Sequence, residues 1–135
     1  NTMVYATEVI AVKKVGERAI SIVNGSVHQL GDLGKKKRLP ICVISESAEK
    51  DKVRGTDVTG YTCLEDDVLC YGLEKLVGVG DIICFENAGA YTNVMKPPFI
   101  QVGCKIVAYD KKGNYILAKR TENVEDILSS YYLGD

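Results

Sequence analysis

Two short stretches of this chain carry residues able to do chemistry. The first is Gly60-Tyr61-Thr62-Cys63-Leu64-Glu65-Asp66-Asp67, a thiol followed by a run of carboxylates. The second is Glu86-Asn87-Ala88-Gly89-Ala90-Tyr91, small residues that end in a phenol and follow the strand-like Ile82-Ile83-Cys84-Phe85. Small residues let a backbone come close to something, and the phenol O–H is a hydrogen-bond donor, so the stretch raises the question of what approaches it and what Tyr91 touches. In its neutral form the Cys63 thiol can hand over a proton. Asp67 also reads as a turn cap, since Asp side chains bond nearby backbone. Taken singly, Tyr91 reads as a packing tyrosine and Cys63 as an inert thiol.

These stretches need elements to hold them. Met3 to Val15 and Ala19 to Val23 are rich in β-branched residues around Gly16-Glu17, which predicts a hairpin. Asn24-Gly25-Ser26 breaks the second strand. Gly31 to Arg38 reads as a Gly-rich basic loop whose Lys35-Lys36-Lys37-Arg38 is solvated. Strands are expected at Pro40 to Ile44, Val53 to Thr59 and Ile82 to Glu86, with Asp67 to Tyr71 a strand or a turn. Ser45 to Lys52 reads as a surface turn, and Leu73 to Leu76 as a connector. Ala90 to Met95 reads as extended, ended by Pro97-Pro98. Val102 to Tyr109 and Tyr115 to Lys119 flank Asp110-Lys111-Lys112-Gly113-Asn114, a second hairpin signal. Only Thr121 to Tyr132 is helical in pattern. Val124, Ile127, Leu128 and Tyr131 fall on one stripe, Thr121 or Asn123 can cap it, and Glu125 and Asp126 suit its start. The stripe should dock on the strands, with Tyr131 and Tyr132 as packing residues.

About eight short strands with no helices between them argue a mainly β fold, an antiparallel Greek-key barrel or sandwich closed by a C-terminal α-helix. The 135 residues suit one domain. A net charge of −1 leaves no electrostatic footprint for nucleic acid. Five cysteines without CxxC spacing and a single histidine give no metal site. Cys42, Cys84 and Cys104 lie in apolar runs as buried free thiols do, and the setting reads as the reducing cytoplasm. No membrane span or signal peptide is legible. The chain enters a strand pattern directly after Asn1-Thr2-Met3, as a segment of something longer would.

Together the two stretches resemble the C-terminal β-domain of the fold-type III pyridoxal-phosphate decarboxylases, the group of ornithine, diaminopimelate and biosynthetic arginine decarboxylases. Gly60, Cys63, Asp67, Gly80, Asp81, Asn87, Ala88, Gly89, Ala90 and Tyr91 follow that family's Gly-x-x-Cys-x-x-x-Asp, Gly-Asp and Ala-Gly-Ala-Tyr pattern in order. Ile22-Val23-Asn24-Gly25-Ser26-Val27-His28 is similar to its early strand-end motif, and Arg120-Thr121-Glu122-Asn123-Val124-Glu125-Asp126 to its closing helix.

The resemblance implies roles for these residues. Tyr91 would donate to the phosphate of pyridoxal 5'-phosphate, and Cys63 would govern proton delivery to the substrate carbon after CO₂ leaves. Asp67 and Gly89 would be structural. The family's acidic position after the cysteine is Leu64 here, so Glu65 and Asp66 stand as the candidates to meet the far end of an amino-acid substrate. The family's N-terminal (β/α)₈ barrel, with its Schiff-base lysine and phosphate loop, has no counterpart in these residues. The expectation is therefore the C-terminal domain, residues 1–135, of a larger decarboxylase that works as a homodimer. By itself the domain should neither hold the cofactor durably nor turn over substrate. A stand-alone β-barrel interaction module and an alanine-racemase-like isomerase half are the competing readings.

Overall fold

The computed structural model describes residues 3–31, 39–45, 52–89 and 91–132. Two compact units are present, Asn1–Pro97 and Pro98–Asp135. The first contains β1 (Val4–Val15), β2 (Arg18–Val23), helix α1 (Val27–Leu30), β3 (Ile41–Ile44), β4 (Thr56–Thr59), β5 (Val68–Leu73), β6 (Ile82–Glu86) and helix α2 (Thr92–Met95). The second contains β7 (Ile106–Tyr109), β8 (Tyr115–Lys119) and helix α3 (Val124–Leu128).

The six strands of the first unit form one curled sheet in the order β3-β6-β1-β2-β4-β5. The mainly β expectation holds. β1 is 12 residues long because it serves two neighbours. Val4 to Glu8 pair with β6, and Val9 to Val15 pair with β2, with a register shift between Val9 and Ala11. That bulge bends the strand where the partner changes. The Val79-Gly80-Asp81 turn seals it. Gly80 N–H donates to the Val9 carbonyl (2.8 Å) and Val9 N–H to the Asp81 carbonyl (2.9 Å). The buried Asp81 carboxylate accepts from Gly78 N–H at 2.8 Å and from the Ser45 hydroxyl.

One pairing departs from the antiparallel expectation. β2 and β4 run parallel, Ile20 to Ile22 against Asp57 to Thr59. Parallel neighbours require a long crossover, and the chain between them carries α1 and β3. Val9, Val23, Val58, Ile83 and Phe85 form the core, and Val27 and Leu30 of α1 are buried in the same cluster.

Several local expectations are corrected. Residues 24–31 do not simply break the strand: Ser26 and Gln29 cap a helical turn reciprocally, the Ser26 hydroxyl accepting from the N–H at N3 and the Gln29 side chain from Ser26 N–H. Only Thr56–Thr59 of the Val53 to Thr59 segment is strand, because Val53 makes an isolated bridge to Val77 and Gly55 takes φ +65°. Val68–Leu73 is a full strand. Thr92–Met95 is helical rather than extended, since Tyr91 adopts φ +64° and its carbonyl accepts from Val94 and Met95 N–H. Cys84 is buried, but Cys42 is exposed and Cys104 half-buried. Most of the basic loop, Lys35 to Arg38 included, and most of the 45–52 turn lie outside the described residues.

In the second unit the predicted hairpin is present, with strand only from Ile106. Asp110 accepts from the N–H groups of Lys112 and Asn114 and from the Asn114 side chain, and these bonds, the last foremost, hold its carboxyl below its usual range. α3 is capped by Asn123 as expected but runs only over Val124–Leu128 and buries none of its residues. Val124, Tyr131 and Tyr132, expected as stripe or packing residues, are exposed. Polar contacts fix the helix start instead: Arg120 grips Asp126 through both guanidinium nitrogens.

Candidate functional site

The Gly60 to Asp67 loop is built around one carboxylate. Asp67 is 2% exposed and accepts four hydrogen bonds. Two come from its own loop, Thr62 N–H at 3.1 Å and the Thr62 hydroxyl at 2.6 Å. Two come from the far side of the fold, the Ser26 hydroxyl at 3.0 Å and Val27 N–H at 2.8 Å. Four acceptances fill the lone-pair capacity of a carboxylate, so the group is buried with its polar demand met. Gly60 is required by the same arrangement. Its N–H donates to the Asp67 carbonyl at 2.8 Å, and a Cβ there would overlap the Asp67 carboxylate. The Gly-x-x-Cys-x-x-x-Asp spacing therefore describes a closed loop, locked at Thr62, that presents Cys63 to solvent. Glu65 and Asp66 share that exposed rim. Asp67 caps its turn as the sequence suggested and in addition ties the loop to α1.

The second stretch leaves β6 through Asn87 at φ +59° and buries Ala88 at 3% exposure, with Ala88 N–H donating to the Met3 carbonyl. Gly89 is half-buried, and Ala90 lies outside the described residues. Tyr91 is 70% exposed and left-handed. A bulky residue held at positive φ is a strained position of the kind that clusters at functional sites. The next residue anchors the segment: the buried Thr92 hydroxyl donates to the Leu30 carbonyl at 3.3 Å.

One helical turn thus carries both stretches. Asp67 bonds the N-terminal end of α1, and Thr92 bonds its last residue. Four helical residues rise on the order of 6 Å. The thiol-bearing loop and the phenol-bearing segment are therefore attached to a common short post, while Cys63 and Tyr91 both stay exposed. Val27 and Leu30 pin that post to the core, and each buried side chain of this size contributes about 1.5–3 kcal/mol. The Asn24-Gly25-Ser26 turn is fitted to β1. The Asn24 side-chain carbonyl accepts from the Thr7 hydroxyl and Glu8 N–H, and a Cβ on Gly25 would strike the hydroxyls of Tyr5 and Thr7.

Ser26, Gln29, Thr62 and Thr92 were not singled out from sequence. The Ser26-x-x-Gln29 spacing is a capping-box signal that would have found α1. Thr92 has no such signal. His28, expected at a strand end, lies within α1. Among the described residues no group of three or more His, Cys, Asp or Glu side chains is arranged to hold a metal, and no helix is long and apolar enough to cross a membrane.

The fold is a curled sheet that exposes a thiol and a phenol from two segments tied to one helical turn. The chain belongs to the family of the pyridoxal-dependent decarboxylase C-terminal sheet domain, whose family model matches residues 1–89. A comparison with the curated proteins finds no match. Among solved structures, a diaminopimelate decarboxylase is similar at 24% identity and TM-score 0.76, over 93% of this chain and 33% of that one. Diaminopimelate decarboxylase from Helicobacter pylori complexed with L-lysine is similar at 21% identity and TM-score 0.74, over 93% of this chain and 31% of that one. Carboxynorspermidine decarboxylase from Campylobacter jejuni complexed with norspermidine is similar at 20% identity and TM-score 0.68, over 90% of this chain and 36% of that one. The chain spans about a third of the length of the solved structures it matches. The family favours neither the interaction module nor the racemase-like half.

The family to which the chain belongs is pyridoxal-dependent. An exposed phenol beside small residues suits a phosphate oxygen. Among the described residues no lysine is buried, so no lysine here has the desolvated setting that a cofactor-bearing amine uses.

Proposed function

We propose that this chain forms one wall of the active site of a pyridoxal-phosphate-dependent amino-acid decarboxylase, completed by a separate cofactor-binding barrel at the subunit interface of a homodimer. The single observation that carries this is α1, which bonds Asp67 at one end and Thr92 at the other and so holds the Cys63 loop and the Tyr91 segment to one frame. The bound cofactor supplies the electron sink for loss of CO₂. The chain's residues supply position. Tyr91 O–H would donate to the cofactor phosphate, with the small residues before it leaving room for the group. Cys63, held by the Thr62–Asp67 bonds, presents its S–H to the substrate carbon and sets how the proton is returned. Glu65 and Asp66 on the exposed rim meet the distal ammonium of a basic or diamino-acid substrate. Free thiols at all five cysteines suit a reducing cytoplasm.

The test uses the full-length protein with a panel of α-amino acids (diaminopimelate, lysine, ornithine, arginine and carboxynorspermidine), with CO₂ release as readout. Cys63→Ala is expected to lower kcat on the order of 100-fold with little change in KM. Tyr91→Phe is expected to raise the pyridoxal-phosphate concentration needed for half activity. The chain alone, mixed with the cofactor, is expected to show no retained visible absorbance after desalting. No release from any substrate of the panel, or both variants indistinguishable from the parent, would sink the reading.

A further inference from the structure

A second pair of thiols lies away from the Cys63 loop. β3 and β6 place Cys42 directly opposite Cys84. Residues directly opposite in an antiparallel pair project to the same face. Glu86 N–H donates to the Pro40 carbonyl at 2.9 Å, which makes that pair a hydrogen-bonded one. Cys42 and Cys84 lie two residues further along each strand, so they form the same kind of pair. Such pairs hold their Cα atoms ~5.5 Å apart. That falls within the ~4.4–6.8 Å a disulfide spans. Cys42 is exposed, whereas Cys84 is 8% exposed on the face of β6 opposite Ile83 and Phe85. Its neighbour on β1 is Ala6, too small to wedge the sulfurs apart. Cys70 faces Val58 across its strand pair, and Cys63 and Cys104 lie outside the strands.

We propose that Cys42 and Cys84 are a dithiol redox site that closes to a cross-strand disulfide by exchange with a small-molecule disulfide. The exposed Cys42 reacts first. Its thiolate attacks one sulfur of RSSR, a mixed disulfide forms, and RS⁻ leaves. The Cys84 thiolate then attacks the Cys42 sulfur, the cross-strand S–S bond forms, and the second RS⁻ leaves. The two protons released by the cysteines go to the two departing thiolates. One RSSR is reduced to two RSH as two protein thiols become one disulfide. Burial first, then the charges of Cys42 and Glu86, push the Cys84 thiol up, so closure is the slower step and quickens as pH rises. A hydrogen-bonded strand pair leaves the Cβ atoms near the long end of ~4.5–5.5 Å. A disulfide wants a mean of ~3.8 Å, so the bond is strained and readily reduced. The site is independent of the decarboxylase reading.

Oxidised glutathione added to the full chain tests this, read by intact mass and peptide mapping. The parent chain is expected to lose two hydrogens with a single link between Cys42 and Cys84, to regain them in excess reduced glutathione, and to close faster at higher pH. Cys84→Ser is expected to stop at glutathione held on Cys42, and Cys42→Ser to yield no adduct at Cys84. A parent chain that accumulates the mixed disulfide on Cys42 without closing, links other cysteines, or leaves Cys42 unmodified would overturn the proposal.

Discussion

Asp67 shows how a single side chain sets the geometry of a whole loop. Its carboxylate joins Thr62, one residue from Cys63, to Ser26 and Val27, about forty residues earlier in the chain. Its turn-capping part was legible in the Gly-x-x-Cys-x-x-x-Asp spacing, since Asp at a loop end bonds local backbone. The tie to α1 was not, because the Ser26 and Val27 donors reach it only through the tertiary fold. An amide in its place offers one acceptor oxygen and brings donors of its own. Asp67→Asn therefore leaves about two donors unpaired at about 1–3 kcal/mol each. It is expected to lower the unfolding free energy in urea by about 2–4 kcal/mol, whereas the exposed Asp66→Asn stays within about 0.5 kcal/mol. Gly60→Ala should cost about 1–3 kcal/mol by driving a methyl into the Asp67 carboxylate. On an Asp67→Ala background the same change should cost little, since the clashing group is gone. Additive costs in that cycle would show that the glycine serves some other need.

The helices here are short, and their ends decide whether they form. A four-residue helix has no stability of its own, so α1 exists through its Ser26–Gln29 box, its two core residues and the Asp67 and Thr92 bonds. α2 has no side-chain cap and follows a left-handed Tyr91, a conformation that small residues in the sequence could not foretell. α3 was legible through Asn123 and its acidic first turn, while its apolar stripe overstated how much it buries. Its start is electrostatic. The Arg120 guanidinium, then the Asn123 N–H, hold the Asp126 carboxyl at about 2, below the ordinary 3.8. The folded value lies below the unfolded one, so the pair's contribution is fully present above the unfolded value and is lost as pH falls from about 3.8 to about 2. Carboxyl-carbon NMR should find the Asp126 midpoint near 2, and Arg120→Gln should move it up toward 3.8. A parent midpoint already at the ordinary value would mean that the bidentate contact does not persist in solution.

At the scale of the whole chain, the strands were legible because β-branched runs between Gly and Pro punctuation leave few alternatives. The parallel β2–β4 contact was not, because it depends on where a crossover lands. The ordered motif residues marked the two candidate stretches, but the frame that ties them rests on bonds between residues 41 and 62 positions apart, which no local pattern encodes. The two units also differ in what holds them. The first has a six-stranded sheet over a buried cluster. In the second, Gly103 is the only buried residue among those described, its N–H held by the Glu122 carboxylate at 2.7 Å. Val107, Tyr109, Tyr115 and Leu117 of its hairpin are all exposed, and the two tyrosines meet through their hydroxyls at 2.7 Å. A two-stranded hairpin without a buried face is marginal in water. Native-state hydrogen exchange of the chain should therefore find the amides of β7 and β8 opening on the order of 100-fold more readily than those of β1 and β6. Mild denaturant should release the β7 and β8 amides in a transition of their own, before the six-stranded sheet yields. Equal protection in the two sets, lost together at one denaturant concentration, would mean that the second unit draws its stability from the first.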